Sequence, residues 1–236
     1  MKKYMPLIKD GFTLILFASA FVLVFKAGFD RLKKTADIDP IVTAVNQGNE
    51  KNHGNVEKIK VILGPIGFEK EKNHFATLEA FEKDRVNRHD DLGRNPLMWA
   101  SYANFLDDEQ TKSVDKSRAE ALEYLIAHGA DLNAVDKDAW TALMWASWSG
   151  LTNTAGKLLE KGASTSFADT KGNTALMIAS MRGNLEIVKL LLAKGADKTA
   201  KGPKGKNAAD FAQEGMKQYK EKAAAYQGIL QILGNG

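Results

Sequence analysis

The chain contains no cysteine. That excludes a disulfide framework, thiol catalysis and thiolate metal sites, while leaving the compartment open. Histidine is scarce too: His53, His74, His89 and His128 stand alone, with no H-E-x-x-H pattern and no carboxylate pair at metal spacing. They read as surface or capping residues. Two short strings resemble catalytic signatures but lack their companions. Ser113-Val114-Asp115-Lys116 spells S-x-x-K without S-D-N or K-T-G. Gly202-Pro203-Lys204-Gly205-Lys206 lacks the first glycine of a phosphate loop and has Asn207 where the metal-binding hydroxyl belongs. The sequence therefore predicts no catalytic residues, no metal and no cofactor.

A one-sided charge is also missing. The net charge of +4 is concentrated before residue 36, where seven basic side chains face Asp10 and Asp30; the remainder has 26 basic and 27 acidic residues. Phosphate binding requires a concentrated basic face, so nucleic acid is not an expected partner. The lysines between Lys194 and Lys222 are mixed with Asp197, Asp210, Glu214 and Glu221 and read as a solvated surface. With 44 % hydrophobic and 26 % charged residues, the composition is that of a globular chain.

One hydrophobic run is present, Gly11 to Phe25, uncharged and preceded by Lys2, Lys3 and Lys9. This is the layout of a signal peptide or signal anchor. Fifteen helical residues span about 22 Å, short of the roughly 30 Å hydrocarbon core unless Lys9 and Lys26 snorkel. The Ala18-Ser19-Ala20 string lies inside the run, which favours an uncleaved anchor. Residues 1–27 are thus expected to be a signal anchor or signal peptide forming an N-terminal hydrophobic helix, and 28–38 a linker. The expected location is periplasmic, anchored in the inner membrane or exported by a cleaved signal.

The rest of the chain repeats. Thr141-Ala142-Leu143-Met144 returns as Thr174-Ala175-Leu176-Met177 after 33 residues, and Gly162-Ala163 returns as Gly195-Ala196 at the same interval. A fixed period of this length marks a solenoid whose units bury their apolar faces against one another. Thr141 and Thr174 are placed to cap the first helix, and Gly129, Gly162 and Gly195 to end the second in a left-handed conformation. Ala100, Ala146 and Ala179 let neighbouring helices approach. Upstream, Arg94-Asn95-Pro96-Leu97-Met98-Trp99 begins another unit, 46 residues ahead of the next. Its excess falls near 105–116, which lacks apolar spacing and is expected to be a surface loop before a second helix at Ala119 to His128. A further unit begins at Asp39, reaches Leu63, and is followed by an excursion near 64–85 with a helix around Phe75 to Arg85. The unit from Asp136 has a weak second helix, because Thr154 and Gly156 stand where its neighbour has Ile187 and Lys189. Residues 202–236 read as a C-terminal cap, with Lys217 to Leu233 as a closing helix that places Tyr226, Ile229, Leu230 and Leu233 on one face.

The T-A-L-M signature, the helix-ending Gly-Ala and the 33-residue step resemble ankyrin repeats. The resemblance implies an all-α solenoid of helix-turn-helix repeats with short turn tips over 39–236, about four repeats plus the cap. Departures are Met98, Met144 and Met177 in place of the usual histidine, and Ala139 in place of the turn glycine; they bear on hydrogen bonding between repeats. The family's partner surface is generally formed by turn tips and the concave side of the first helices, and all four tryptophans fall in that set. Trp99, Trp140, Trp145 and Trp148, with Tyr102, Arg94, Met181 and Arg182, are the expected partner-binding residues. Trp99 and Trp145 can equally fill the groove between first helices as core. Trp140 and Trp148, at positions that vary freely in the family, are the stronger contact candidates. The resemblance implies a non-enzymatic protein-binding module, monomeric on its own. By analogy with small exported proteins of this kind, the first candidate partner is a peptidoglycan-cleaving endopeptidase that the module inhibits or protects against. The alternative is a scaffold or stabiliser of an envelope or oxidative-stress enzyme.

Overall fold

In a computed structural model of the chain, the described residues are Ile59, 78–103 and 108–234. They form helices in the order α1 (Leu78–Asn87), α2 (Pro96–Ala100), α3 (Asp108–Ala127), α4 (Ala142–Ser149), α5 (Thr152–Glu160), α6 (Ala175–Arg182), α7 (Leu185–Ala193), α8 (Ala208–Gln218) and α9 (Ala223–Gly234). Among these residues the only strand-like pairing is an isolated bridge between Ala168 and Thr174. The helices stack in two layers. The first helices α2, α4, α6 and α8 pack in sequence, and the second helices α3, α5, α7 and α9 pack behind them.

The first helices are short, so their ends weigh heavily. Each N-terminus is capped by a side chain at the equivalent repeat position: Asn95 Oδ1 accepts from Met98 N–H, Thr141 Oγ1 from Met144 N–H and Thr174 Oγ1 from Met177 N–H. In α8, Asn207 and Asp210 complete a reciprocal capping box. The methionines that replace histidine are buried, and bonds between turns persist without them: Lys137 N–H donates to Leu92 O and Thr170 N–H to Asp138 O. Gly129, Gly162 and Gly195 have φ of 88°, 95° and 80°, the left-handed helix ends read from the sequence.

Two helices differ from expectation. The insertion at 105–116 is no surface loop where it is described, because α3 runs unbroken from Asp108 to Ala127. It lacks apolar spacing because part of its buried face is polar. Asp115 is buried and accepts from Asn153 N–H, Thr154 N–H and the Thr154 hydroxyl. Arg118, one turn on, donates to Trp99 O. The single closing helix Lys217 to Leu233 is also corrected. The chain breaks at Tyr219, makes a short 3-10 turn at Lys220–Lys222 and restarts as α9, which buries Tyr226, Ile229 and Leu233 but leaves Leu230 half-buried. The break lets α9 fold back onto α8 and α7. Upstream, α1 continues through Val86–Asn87 to bury Val86.

The unit from Asp39 lies outside the described residues except for Ile59, which is helical and buried. The predicted N-terminal hydrophobic segment also lies outside them, and among the described residues no helix is long and apolar enough to cross a membrane.

The turn tips repeat the same backbone at Gly93, Ala139, Gly172 and Gly205, with φ of 79°, 61°, 87° and 70°. Alanine carries a Cβ into a region where it costs about 1–2 kcal/mol, offset in part by the entropy glycine loses on folding. Ala139→Gly is therefore expected to stabilise the protein by about 0.5–1 kcal/mol. Thermal unfolding should rise by a few degrees, and an unchanged or lower midpoint would refute a strained turn.

Candidate protein-binding face

The first three of the described turns are each held by one aspartate. Asp90 Oδ1 accepts from the N–H groups of Leu92 and Arg94 at 2.8 and 2.9 Å. Asp136 Oδ1 accepts from Asp138 and Trp140, both at 2.9 Å, and Asp169 Oδ1 from Lys171 and Asn173 at 2.9 and 2.8 Å. The second carboxylate oxygen reaches to the first helix. Asp90 Oδ2 accepts from the indole N–H of Trp99 at 3.2 Å and Asp136 Oδ2 from that of Trp145 at 3.1 Å, each nine residues on. In the following repeat the ninth residue is Ile178, which has no donor, and Asn173 Nδ2 supplies the bond to Asp169 instead at 2.9 Å. Burial pushes the Asp136 carboxyl up against these hydrogen bonds, which pull it down.

The tryptophans so anchored belong to the interior. Trp99, Trp140 and Trp145 are 5 %, 4 % and 8 % exposed. For Trp99 and Trp145 this selects the core reading. For Trp140 it corrects the expectation of an open contact at the turn tip, because its ring lies 4.8 Å from that of Trp145 and 6.0 Å from that of Trp148. Tyr102, Trp148, Met181 and Arg182 are half-buried and carry the accessible edge.

These side chains form one row. The Arg94 guanidinium lies 4.2 Å over Trp99, whose ring meets Tyr102 at 6.1 Å; Tyr102 meets Trp145 at 5.2 Å. Trp140 links Trp145 to Trp148, and the Arg182 guanidinium sits 4.4 Å over Trp148 and 5.1 Å over Tyr219. Edge-on and tilted ring contacts, with cations over ring faces, are the favourable geometries for such a row. Arg94 is also bound to Asp90 by an ion pair of 3.0 Å. All the expected residues except Met181 are members of the row.

The far ends of the first helices are satisfied individually, since the last carbonyls of a helix have no partner within it. Arg118 takes Trp99 O, Asn184 Nδ2 takes Ser147 O at 2.7 Å, Arg182 Nε takes Trp148 O at 3.3 Å, and the Tyr226 hydroxyl takes Met181 O at 2.7 Å. Its bond to Trp99 O makes Arg118 an inward structural donor, and burial lowers its guanidinium to about 10. Tyr219, the end of the row, carries no signal in the sequence, because it lies beyond a helix break. The turn aspartates could have been found from their fixed distance to tryptophan.

The remaining motifs resolve into structure. Gly202 to Lys206 is the fourth turn, closed by a 2.8 Å bond from Gly202 N–H to Lys206 O. His128 bonds Tyr124 O at the end of α3 and stacks on the Tyr124 ring, while His89 is exposed; His53 and His74 lie outside the described residues. Among the described residues no three His, Asp or Glu side chains are grouped to hold a metal.

Stacked helix pairs with capped turns and an aromatic inner row define a solenoid of the protein-interaction class. The sequence matches the family description "Ankyrin repeats (3 copies)" over residues 23–169 and 111–202, so the chain belongs to the ankyrin-repeat family and is a protein–protein interaction module. No curated protein matches the sequence at a significant level.

Proposed function

We propose that this is a non-enzymatic module acting outside the cytoplasm, which docks on a partner enzyme through its aromatic row and inhibits or protects against it. The observation that carries the docking face is the half-buried edge of Tyr102, Trp148 and Arg182 beside the buried Trp99, Trp140 and Trp145. Aromatic and arginine side chains set on a rigid support are the usual anchors of protein interfaces. The compartment rests on the lysine-flanked apolar run from Gly11 to Phe25. A peptidoglycan-cleaving endopeptidase is the first partner to test, on the analogy drawn above.

A photoreactive amino acid in place of Trp148, in the full chain expressed in a bacterial envelope, should crosslink to a cell-wall hydrolase. The purified chain should then lower that enzyme's activity. A rise in activity would favour the scaffold or stabiliser role, and crosslinks confined to cytoplasmic proteins would refute the compartment. A reporter fused after Gly236 gives sidedness directly.

A further inference from the structure

We infer that the C-terminal end of the row, at Arg182, Trp148 and Tyr219, receives an acidic side chain from a segment of the partner protein, with an apolar side chain of that segment resting on Trp148. This inference rests on the protein-binding reading of the face.

The Arg182 guanidinium is fixed before any partner arrives. It lies over the Trp148 and Tyr219 rings, 4.4 and 5.1 Å from their centroids. Its Nε–H donates to Trp148 O at 3.3 Å and its Nη1–H to the Tyr219 hydroxyl at 2.7 Å. Both of those acceptors are neutral. The remaining N–H donors of the fork, on Nη1 and Nη2, have no carboxylate paired with them among the described residues. Arg94, at the other end of the row, differs in this respect, because Asp90 already neutralises it.

A half-buried guanidinium with only neutral partners keeps part of its desolvation uncompensated, and a carboxylate is the group whose two oxygens match its planar fork. Little side-chain freedom is left to lose on binding, since two rings and two hydrogen bonds already hold the fork. The surroundings have the same sign. Lys220 is exposed and Lys222 half-buried on the connection that carries Tyr219, whose one carboxylate is Glu221. Beside this charge, the half-buried Trp148, which lies under the Arg182 guanidinium, offers an apolar seat. One fork beside an apolar seat fits a polypeptide; a nucleic-acid backbone would need a longer run of cations.

The test is selection of a random dodecapeptide library displayed on phage against the full chain, followed by affinity measurements with the enriched peptides. The expected peptides carry Asp or Glu next to an aromatic or leucine. Replacing that acid by its amide should weaken binding at least tenfold. Arg182→Gln and Arg182→Lys should each do the same, because lysine keeps the charge but loses the fork, and Trp148→Asp should abolish binding. Thermal midpoints of the variants separate loss of binding from loss of fold. Peptides that need Trp148 but bind equally as amides would overturn the acidic partner and leave the docking face standing. Peptides insensitive to Trp148→Asp would overturn both. Competition by a 12-nucleotide single strand as effective as by free peptide would show a general polyanion site and also overturn the inference.

Discussion

Gly215→Ala is expected to cost about 3 kcal/mol and to lower the thermal midpoint by roughly 10 °C, although alanine is the better helix former. In the open interior of a helix the same change would gain up to about 1 kcal/mol. Here a Cβ on Gly215 would stand 2.2 Å from Met181 O and 2.7 Å from the ring of Tyr226. Neither neighbour can yield. Met181 O is backbone, and Tyr226 is fully buried with its hydroxyl bonded to that same carbonyl. On its other side Tyr226 presses on Gly183, where a Cβ would lie 2.9 Å from the ring. The tyrosine is thus a bolt between α6 and α9, and the missing Cβ at Gly215 is the slot. Burial raises its hydroxyl well above the ordinary tyrosine range, so it stays a donor at any physiological pH.

Two controls make this specific. Gly228→Ala places a Cβ 3.1 Å from the flexible end of Leu185 and should change stability by less than about 1 kcal/mol. Tyr226→Phe removes one hydrogen bond and should cost about 1–2 kcal/mol. Hydrogen exchange should show the Gly215→Ala loss concentrated in residues 208–234. Uniform loss along the solenoid, or none, would contradict the bolt.

Asp115→Ala is expected to cost about 2–3 kcal/mol, with the damage in a different repeat from the mutation. The reason is a borrowed cap. Leu151, at the N-cap of α5, has no side-chain oxygen, and the free N–H groups of Asn153 and Thr154 reach across to Asp115 on α3 at 2.6 and 2.9 Å. The Thr154 hydroxyl adds a third bond at 2.8 Å. Alanine would leave all three donors buried or half-buried without this acceptor. Asp115→Asn keeps an acceptor oxygen and should cost about half as much.

Hydrogen exchange of 152–160 is the direct measurement. Unchanged protection there in Asp115→Ala would refute the cap. The same site has a pH signature. Burial raises the Asp115 carboxyl above its ordinary value, more than its hydrogen bonds lower it. The fold therefore holds that proton more tightly than the unfolded chain does. Its contribution to stability falls as pH rises from the ordinary aspartate range through the raised value, and Asp115→Asn should flatten that part of the profile.

These two sites mark how far the sequence could be read. The 33-residue step, the Thr141 and Thr174 caps and the glycine helix ends were legible, because each depends on local geometry repeated at a fixed interval. The row of Trp99, Tyr102, Trp145 and Trp148 was legible as a set, because equivalent positions in stacked repeats must neighbour one another. The depth of each ring was not. Trp140 reads as an exposed turn residue until the packing of Trp145 and Trp148 around it is known. The insertion near 105–116 misled for a related reason. Apolar periodicity identifies helices that bury carbon, and α3 buries Asp115 against donors about 40 residues away.

Thr154, read from the sequence as a weak point of the second helix, is a bonded partner of Asp115 in the fold. By itself, the sequence determined the repeat, its caps and the residues gathered on the first helices, since these follow from contacts within a few residues or one period. Only the tertiary structure decided that Trp140 is interior, that Tyr219 closes the row over Arg182, and that Tyr226 locks the last repeat. Each of those depends on side chains meeting from separate helices, and no local pattern encodes that meeting.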